Sequence, residues 1–182
     1  MKRILALFLA AAPMAVLADP TSWNVDPAHS NASFTVRHLV ISNVRGEFQK
    51  MSGAVKLDDK DLAKSSVEAT IDTASIDTRI PDRDKDLKSP DFFDVRTHPR
   101  ATFTSTSIKP SRAPGATHEV TGNLTLHGVT KPVTVPVKVK NDAGGVTLEG
   151  TFTLQREEFK MTYGKGQVNN DVTVKLTVKA AK

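Results

Sequence analysis

The stretch from Val120 to Val139 constrains the fold most, because its apolar residues recur at every second position. The alternating apolar positions are Val120, Leu124, Leu126, Val133, Val135, Val137 and Val139. A period of two sends successive side chains to opposite faces of a β-strand. The stretch therefore predicts two amphipathic strands, and the break between them falls at His127-Gly128.

The same alternation recurs along most of the chain. Further runs cover residues 32–36, 44–48, 55–57, 67–71, 101–103, 146–154 and 172–178. Short turn signals separate most of these runs, for example Asn141 to Gly145. The sequence therefore predicts an all-β domain of about eight antiparallel strands.

Two architectures fit eight strands that share one apolar face. A closed barrel removes the exposed sheet edges and either fills itself with side chains or holds one small ligand. A sandwich presses two sheets together and leaves no cavity. The inward positions favour small side chains, which would leave a lumen in a barrel: Val36, Val44, Gly46, Val67, Ala69, Gly122, Val133, Val135, Val137, Gly150, Val172 and Val174.

One charged segment, from Arg79 to Pro99, breaks the strand pattern. Pro81 suits the start of a helix, and the run from Ser89 to Asp91 suits a cap. The segment predicts one or two short helices covering one end of the barrel, with Phe92 and Phe93 turned inward. Its D-x-D-x-D pattern lacks the glycine and the glutamate of a calcium loop, so a solvated ion-pair network is the preferred interpretation.

The N-terminus has the pattern of a secretory signal peptide. Lys2 and Arg3 precede an apolar run that is too short to span a membrane, and small residues precede Asp19. We expect residues 1–18 to be removed after Ala18, and residues 19–182 to form one exported, periplasmic domain. A membrane anchor is the alternative interpretation of this segment.

Composition excludes several classes of function. The chain has no cysteine, so thiol and iron–sulfur chemistry are excluded. Its net charge of +5 comes from scattered basic residues, which do not form a nucleic-acid-binding stripe. No histidine spacing suits zinc, and no nucleophile elbow or phosphate-binding loop occurs. We therefore expect no catalytic residues, no metal and no cofactor.

Four segments resemble the YceI-like family of bacterial secreted and periplasmic proteins. They are WNVDPAHSNASFTVRHLVISNVRGEF from Trp23, IDTRIPDRDKDLKSPDFFDVRTHPRATF from Ile76, TGNLTLHGVTKPVTV from Thr121 and REEFKMTYG from Arg156. The chain departs from the family pattern at Asp86, where a histidine is common, and at Gln155 and Lys160.

The resemblance implies an eight-stranded, lipocalin-like antiparallel barrel with an extended apolar pore. It implies binding of a polyisoprenoid, an isoprenoid quinone or a similar long-chain amphiphile. It also suggests a link to cytochrome b561-type membrane proteins. A monomer and a homodimer both fit the sequence.

Inward parity and the resemblance together predict a set of ligand-binding residues. Arg83 or Asp84 is expected near the polar end of the ligand, and His38 is either a core histidine or a contact for the ligand head. The predicted residues are Phe34, His38, Phe48, Ile71, Arg83, Asp84, Leu87, Phe92, Phe103, Leu126, Val135, Phe152 and Met161.

The sequence therefore predicts a non-enzymatic periplasmic carrier that holds one apolar chain. Two alternatives remain open. The first is a stress-related interaction protein with a packed core, and the second is an enzyme acting on a quinone or lipid.

Overall fold

The alternating segments form β-strands in the computed structural model, which describes residues 21–39, 41–58, 60–142 and 144–181. The predicted signal peptide and its cleavage site lie outside these residues. The described chain contains eleven strand segments: β1 Thr21–Val25, β2 Asn31–His38, β3 Ser42–Phe48, β4 Met51–Leu57, β5 Ser66–Asp72, β6 Ile76–Asp77, β7 Arg100–Pro110, β8 His118–Leu126, β9 Val129–Asp142, β10 Gly145–Gln155 and β11 Val168–Ala181.

These segments form eight barrel strands, because three of the barrel strands are interrupted. β1 and β2 lie end to end along β11, with Val25 opposite Ala180 and Asn31 opposite Thr177. β4 and β3 continue one another beside them, and β5 and β6 form the next barrel strand. A short break of two to five residues separates the two halves of each pair.

The eight strands form a closed antiparallel ring. β5 pairs with β7, and each strand from β7 to β11 pairs with the next along the chain. β11 then pairs with β1 and β2, which closes the ring. The predicted eight-stranded barrel is confirmed, and the sandwich alternative is wrong because a sandwich does not close through its first and last strands.

A tightly packed apolar cluster closes one end of the barrel, and other members of the buried core line a cavity. Val55 and Val146 are each 1% exposed and Ala180 is completely buried, where β1, β4, β10 and β11 meet. Val146 lies opposite Ala180 across the β10–β11 pair. These short aliphatic side chains interdigitate and close that end of the barrel.

The opposite end, which we call the loop end, carries four connecting segments. They are the turn with residues 39 and 41, the segment 78–98, the turn at 127–128 and the segment 156–168. The Leu39 N–H donates to the Gln167 carbonyl over 2.7 Å, and His127 Nδ1 lies 3.0 Å from the Phe159 carbonyl oxygen. The rings of His98 and His127 are 4.8 Å apart, so the four segments form one connected cap.

One α-helix, α1 (Pro81–Lys88), lies within the described part of that cap. Proline at its first turn, two early aspartates and two late lysines match the helix dipole. Residues 90–97 form turns and no second helix, so the structure has one helix where the sequence allowed one or two. The segment covers the loop end, as predicted.

An apolar lumen as the candidate functional site

A cavity of about 230 Å³ occupies the barrel between the packed core and the loop end. Its wall comes from the inward faces of the strands, together with Leu87, Phe92 and Phe93 of the cap and with Phe159 and Met161. Almost every side chain of this wall is aliphatic or aromatic. Three of the described lining residues are polar, Ser33, Thr102 and Arg156, and Ser33 and Thr102 alternate with inward-facing neighbours, so their side chains turn away from the lumen.

The lumen stays open because small residues occupy inward positions around it. Ala32, Ala69, Ala101 and Gly150 line the wall, and valines fill many of the remaining positions. At Gly150 the missing side chain lets Val135 and Val137 pack closely, since a Cβ there would approach both to 3.1 Å. The small residues at inward positions therefore leave an open lumen beside the packed end of the barrel.

Aromatic rings line the lumen near the loop end. Phe34 and Phe48 have ring centroids 6.0 Å apart, and Phe93 meets Phe48 edge-on at 5.4 Å. Phe92 meets the ring of Tyr163 at 5.3 Å. Such edge-to-face pairs favour defined ring positions, so the cap presents a fixed apolar surface to the cavity.

Ten of the thirteen predicted ligand-binding residues line this cavity. They are Phe34, Phe48, Ile71, Leu87, Phe92, Phe103, Leu126, Val135, Phe152 and Met161. Period-two parity placed the strand residues on the inner face, and apolar character placed those of the cap. Their contact with a ligand stays a prediction.

His38 was expected in the wall by parity, but the structure places it outside the cavity lining. It is the last residue of β2 and lies opposite Val168. The β2–β3 pairing is regular up to His38, which lies opposite Ser42 in the last pair before the turn, so its side chain keeps the inward parity but lies at the mouth of the barrel, beyond the lining residue Val36. Its ring is therefore half-buried at the rim, neither in the core nor in the lumen.

Arg83 and Asp84 also lie outside the cavity lining, because both bind Thr78. Asp84 Oδ1 accepts hydrogen bonds from the Thr78 N–H at 2.8 Å and from its hydroxyl at 2.5 Å. Arg83 donates to the Thr78 hydroxyl at 2.9 Å and to its carbonyl at 3.0 Å. These bonds fasten α1 to the end of β6, so the two side chains hold the cap in place.

Arg156 is a lining residue that the sequence prediction missed. Its guanidinium is 5% exposed and donates to four backbone carbonyls, those of Met161, Tyr163, Val168 and Asn169. Met161 and Tyr163 belong to the chain that returns from β10 to β11, and Val168 and Asn169 are the first two residues of β11. The Arg156 side chain therefore attaches the segment between β10 and β11 to the end of the barrel.

The alternation of residues along β10 could have identified Arg156 as an inward-facing residue. Leu148, Gly150, Phe152 and Leu154 all line the lumen, and position 156 continues their period of two. An arginine at an inward position requires dense hydrogen bonding, because an unpartnered buried charge is costly. The four carbonyls supply that bonding.

Burial lowers the pKa of the Arg156 guanidinium below its usual range, and the negative charge of Glu157 partly opposes this shift. Glu157 itself points to Lys165, at 3.0 Å, and no salt bridge joins a described carboxylate to Arg156. The positive charge at the edge of the lumen is thus neutralised mainly by carbonyl dipoles.

The lumen wall is apolar, and the described residues offer no cluster of metal-ligating side chains. Across the described ranges, no three histidine, aspartate or glutamate side chains cluster as metal ligands would. None of the helices in the described part of the chain is long and apolar enough to cross a membrane. The arrangement can enclose an apolar chain and exclude water from it.

Comparison with known proteins places this fold in a family. Residues 23–180 match the YceI-like domain. A UPF0312 protein of Pectobacterium carotovorum is 34% identical over 185 residues, which cover 97% of this chain and 94% of that protein. The crystal structure of Burkholderia cenocepacia BcnA is similar with a TM-score of 0.79 and 34% identity, over 86% of this chain and 99% of that one.

A third protein shares the fold at lower identity. The structure described as a polyisoprenoid binding domain from Saccharophagus degradans has a TM-score of 0.67 and 16% identity, over 87% of this chain and 97% of that one. The closed barrel, the match over residues 23–180 and the identity to full-length relatives agree. The chain belongs to the YceI-like family.

Proposed function

We propose that this protein binds one long apolar ligand in its lumen and carries it without changing it chemically. The ligand class is a polyisoprenoid, such as the tail of an isoprenoid quinone. The observation that carries the proposal is the 230 Å³ lumen with its almost wholly apolar wall. The fold shared with a polyisoprenoid binding domain supports the same ligand class.

The energetics suit a carrier. Burying on the order of 500 Å² of apolar chain contributes about 12 kcal/mol at ~25 cal/mol per Å². Association costs at least about 4 kcal/mol in lost freedom, which leaves about 8 kcal/mol, or roughly micromolar affinity. Such affinity retains an insoluble chain and still permits its release.

The packed-core alternative does not fit the structure, because the lumen contains open volume beside the packed end. An enzyme acting on a lipid would need a nucleophile or base beside the ligand. Among the described lining residues, Arg156 is the one polar residue on an inward strand position, and it is committed to backbone carbonyls. We therefore favour binding over turnover.

The proposed location is the periplasm, reached through the signal peptide at residues 1–18. Cell fractionation and N-terminal sequencing test this step. The expected result is a periplasmic protein that begins at Asp19. A membrane-bound protein that retains residues 1–18 would contradict export with cleavage.

The ligand is tested by extracting the protein, purified from its native host, with organic solvent and analysing the extract by mass spectrometry. We expect one long-chain isoprenoid in roughly equimolar amount. An extract without any long-chain lipid would contradict the carrier function.

Matched variants test the site. Val135 is 5% exposed in the lumen wall, whereas Lys138 faces solvent on the same strand. Val135→Arg should abolish uptake of a fluorescent prenyl analogue, and Lys138→Ala should leave it unchanged. Ala69→Phe should reduce uptake without adding charge, because Ala69 lines the lumen. Circular dichroism verifies that each variant is folded, and equal uptake by all three would contradict the assignment of the lumen.

A further inference from the structure

The exposed large apolar side chains of the described chain all lie at the loop end. Ile41 is 90% exposed, Tyr163 56%, Leu39 50% and Ile80 47%. Every other leucine, isoleucine, methionine, phenylalanine and tryptophan that the structure describes is buried or half-buried. Exposed apolar surface concentrated at one end of a domain marks an interaction site.

Tyr163 connects this surface to the lumen. Leu39 is held to the 156–168 segment by its hydrogen bond to Gln167, and Tyr163 lies on the same segment. The Tyr163 ring packs against Phe92, which lines the cavity. An apolar path therefore leads from the exposed rim to the inner wall.

The charges of the cap argue against a highly charged partner. Residues 78–98 contain five basic and five acidic side chains, so this segment has no net charge. The exposed apolar residues lie on separate segments and point to no single groove for a peptide. Tyrosine, with a polar hydroxyl on an apolar ring, suits the boundary between lipid and water.

We propose that the loop end docks on the surface of a lipid bilayer, with Ile41, Leu39 and Tyr163 inserted among the headgroups. The benefit of docking rests on the proposed function, because an apolar ligand then enters the lumen without crossing water. The docking itself requires no ligand. A balanced rim predicts binding to zwitterionic lipid with little dependence on salt.

The test is flotation of the purified protein with phosphatidylcholine vesicles that contain no isoprenoid. We expect the wild-type protein to float with the vesicles at low and at high salt. Ile41→Ser should weaken vesicle binding by about tenfold or more, since a fully exposed isoleucine has most to gain from burial. Ile41→Leu is the matched control and should float like the wild type.

Failure of wild-type flotation, or equal flotation of Ile41→Ser and wild type, overturns the proposal. Analytical sedimentation tests whether a second copy of the chain covers this surface instead. A dimer that dissociates in the Ile41→Ser variant, together with no vesicle binding, would also overturn the docking proposal. If only the docking proposal is wrong, the solvent extract of the protein still contains isoprenoid. If the carrier proposal is wrong, the extract contains none. The two hypotheses therefore fail separately.

Discussion

Replacing Arg156 by methionine should destabilise the protein without removing its apolar wall. Methionine keeps a long side chain at the lumen but removes all donors to the four carbonyls, which Arg156 now reaches at 2.5 to 3.0 Å. We therefore expect the 156–168 segment to lose its attachment to the barrel end.

The magnitude follows from opposing terms. Hydrogen bonds from a charged donor contribute about 1.5–3 kcal/mol each, so four bonds set an upper limit near 12 kcal/mol. Removing a buried charge returns several kcal/mol of desolvation, and water replaces some bonds at this end. The expected net loss is about 3 kcal/mol of unfolding free energy, or a fall in Tm of roughly 6–12 °C for a domain of this size.

Urea denaturation followed by circular dichroism measures this loss, with Arg156→Lys as the matched variant. Lysine keeps the charge, but its single ammonium lacks the planar fork that reaches four carbonyls, so we expect an intermediate loss. Amide exchange should accelerate at Val168, whose N–H donates to Gly164, and at Leu39, which donates to Gln167. An Arg156→Met protein within about 0.5 kcal/mol of wild type would refute the reasoning.

Two further predictions concern backbone geometry and acid stability. Gly53 has φ +151°, and a Cβ there would lie 2.0 Å from the Glu68 carbonyl, whereas Gly115 has φ +77° and open space around it. Gly53→Ala should therefore lower the free energy of unfolding by about 3 kcal/mol or more, and Gly115→Ala by about 1 kcal/mol. Equal losses for the two variants in denaturation experiments would contradict the geometry. The N–H groups of Asp61 and Lys60 donate to Asp58 and lower its pKa below 3.8. The folded state therefore binds fewer protons than the unfolded state at acid pH, and this contribution to stability is lost as the pH falls below 3.8 and through the lowered pKa. Asp58→Asn should make the acid limb of a stability–pH curve shallower, and an unchanged limb would count against this contribution.

The inner wall was predictable because parity is a local property. Val135 and Phe152 lie on strands whose alternation is visible in sequence, and both line the lumen. The same rule extended by one step identifies Arg156 as inward-facing. The hydrogen bonds that make this position tolerable come from residues up to 13 positions away and have no local signal.

Other features depended on long-range or local geometry that the pattern does not contain. The pairing of β1 with β11 joins residues from opposite ends of the chain, so the sequence predicted closure without showing which segments share a barrel strand. His38 obeys the parity rule but lies at the end of β2, beyond the last residue of that strand that lines the lumen. Arg83 and Asp84 have the charge expected of a ligand contact, yet the nearby Thr78 satisfies both.

Removing the bound ligand should reveal how much stability the protein loses by having an empty lumen. A cavity destabilises by about 24 cal/mol per Å³, so an empty lumen of 230 Å³ costs on the order of 5 kcal/mol relative to a filled one. The positions of Ala32, Ala69 and Ala101 would accept larger apolar side chains in a barrel selected for stability alone. We therefore expect a bound chain to recover much of this cost by linkage, so that solvent-free delipidation on a hydrophobic resin lowers Tm by several degrees and adding back the extracted lipid restores it. An unchanged Tm after complete delipidation would show that the lumen closes on itself when empty.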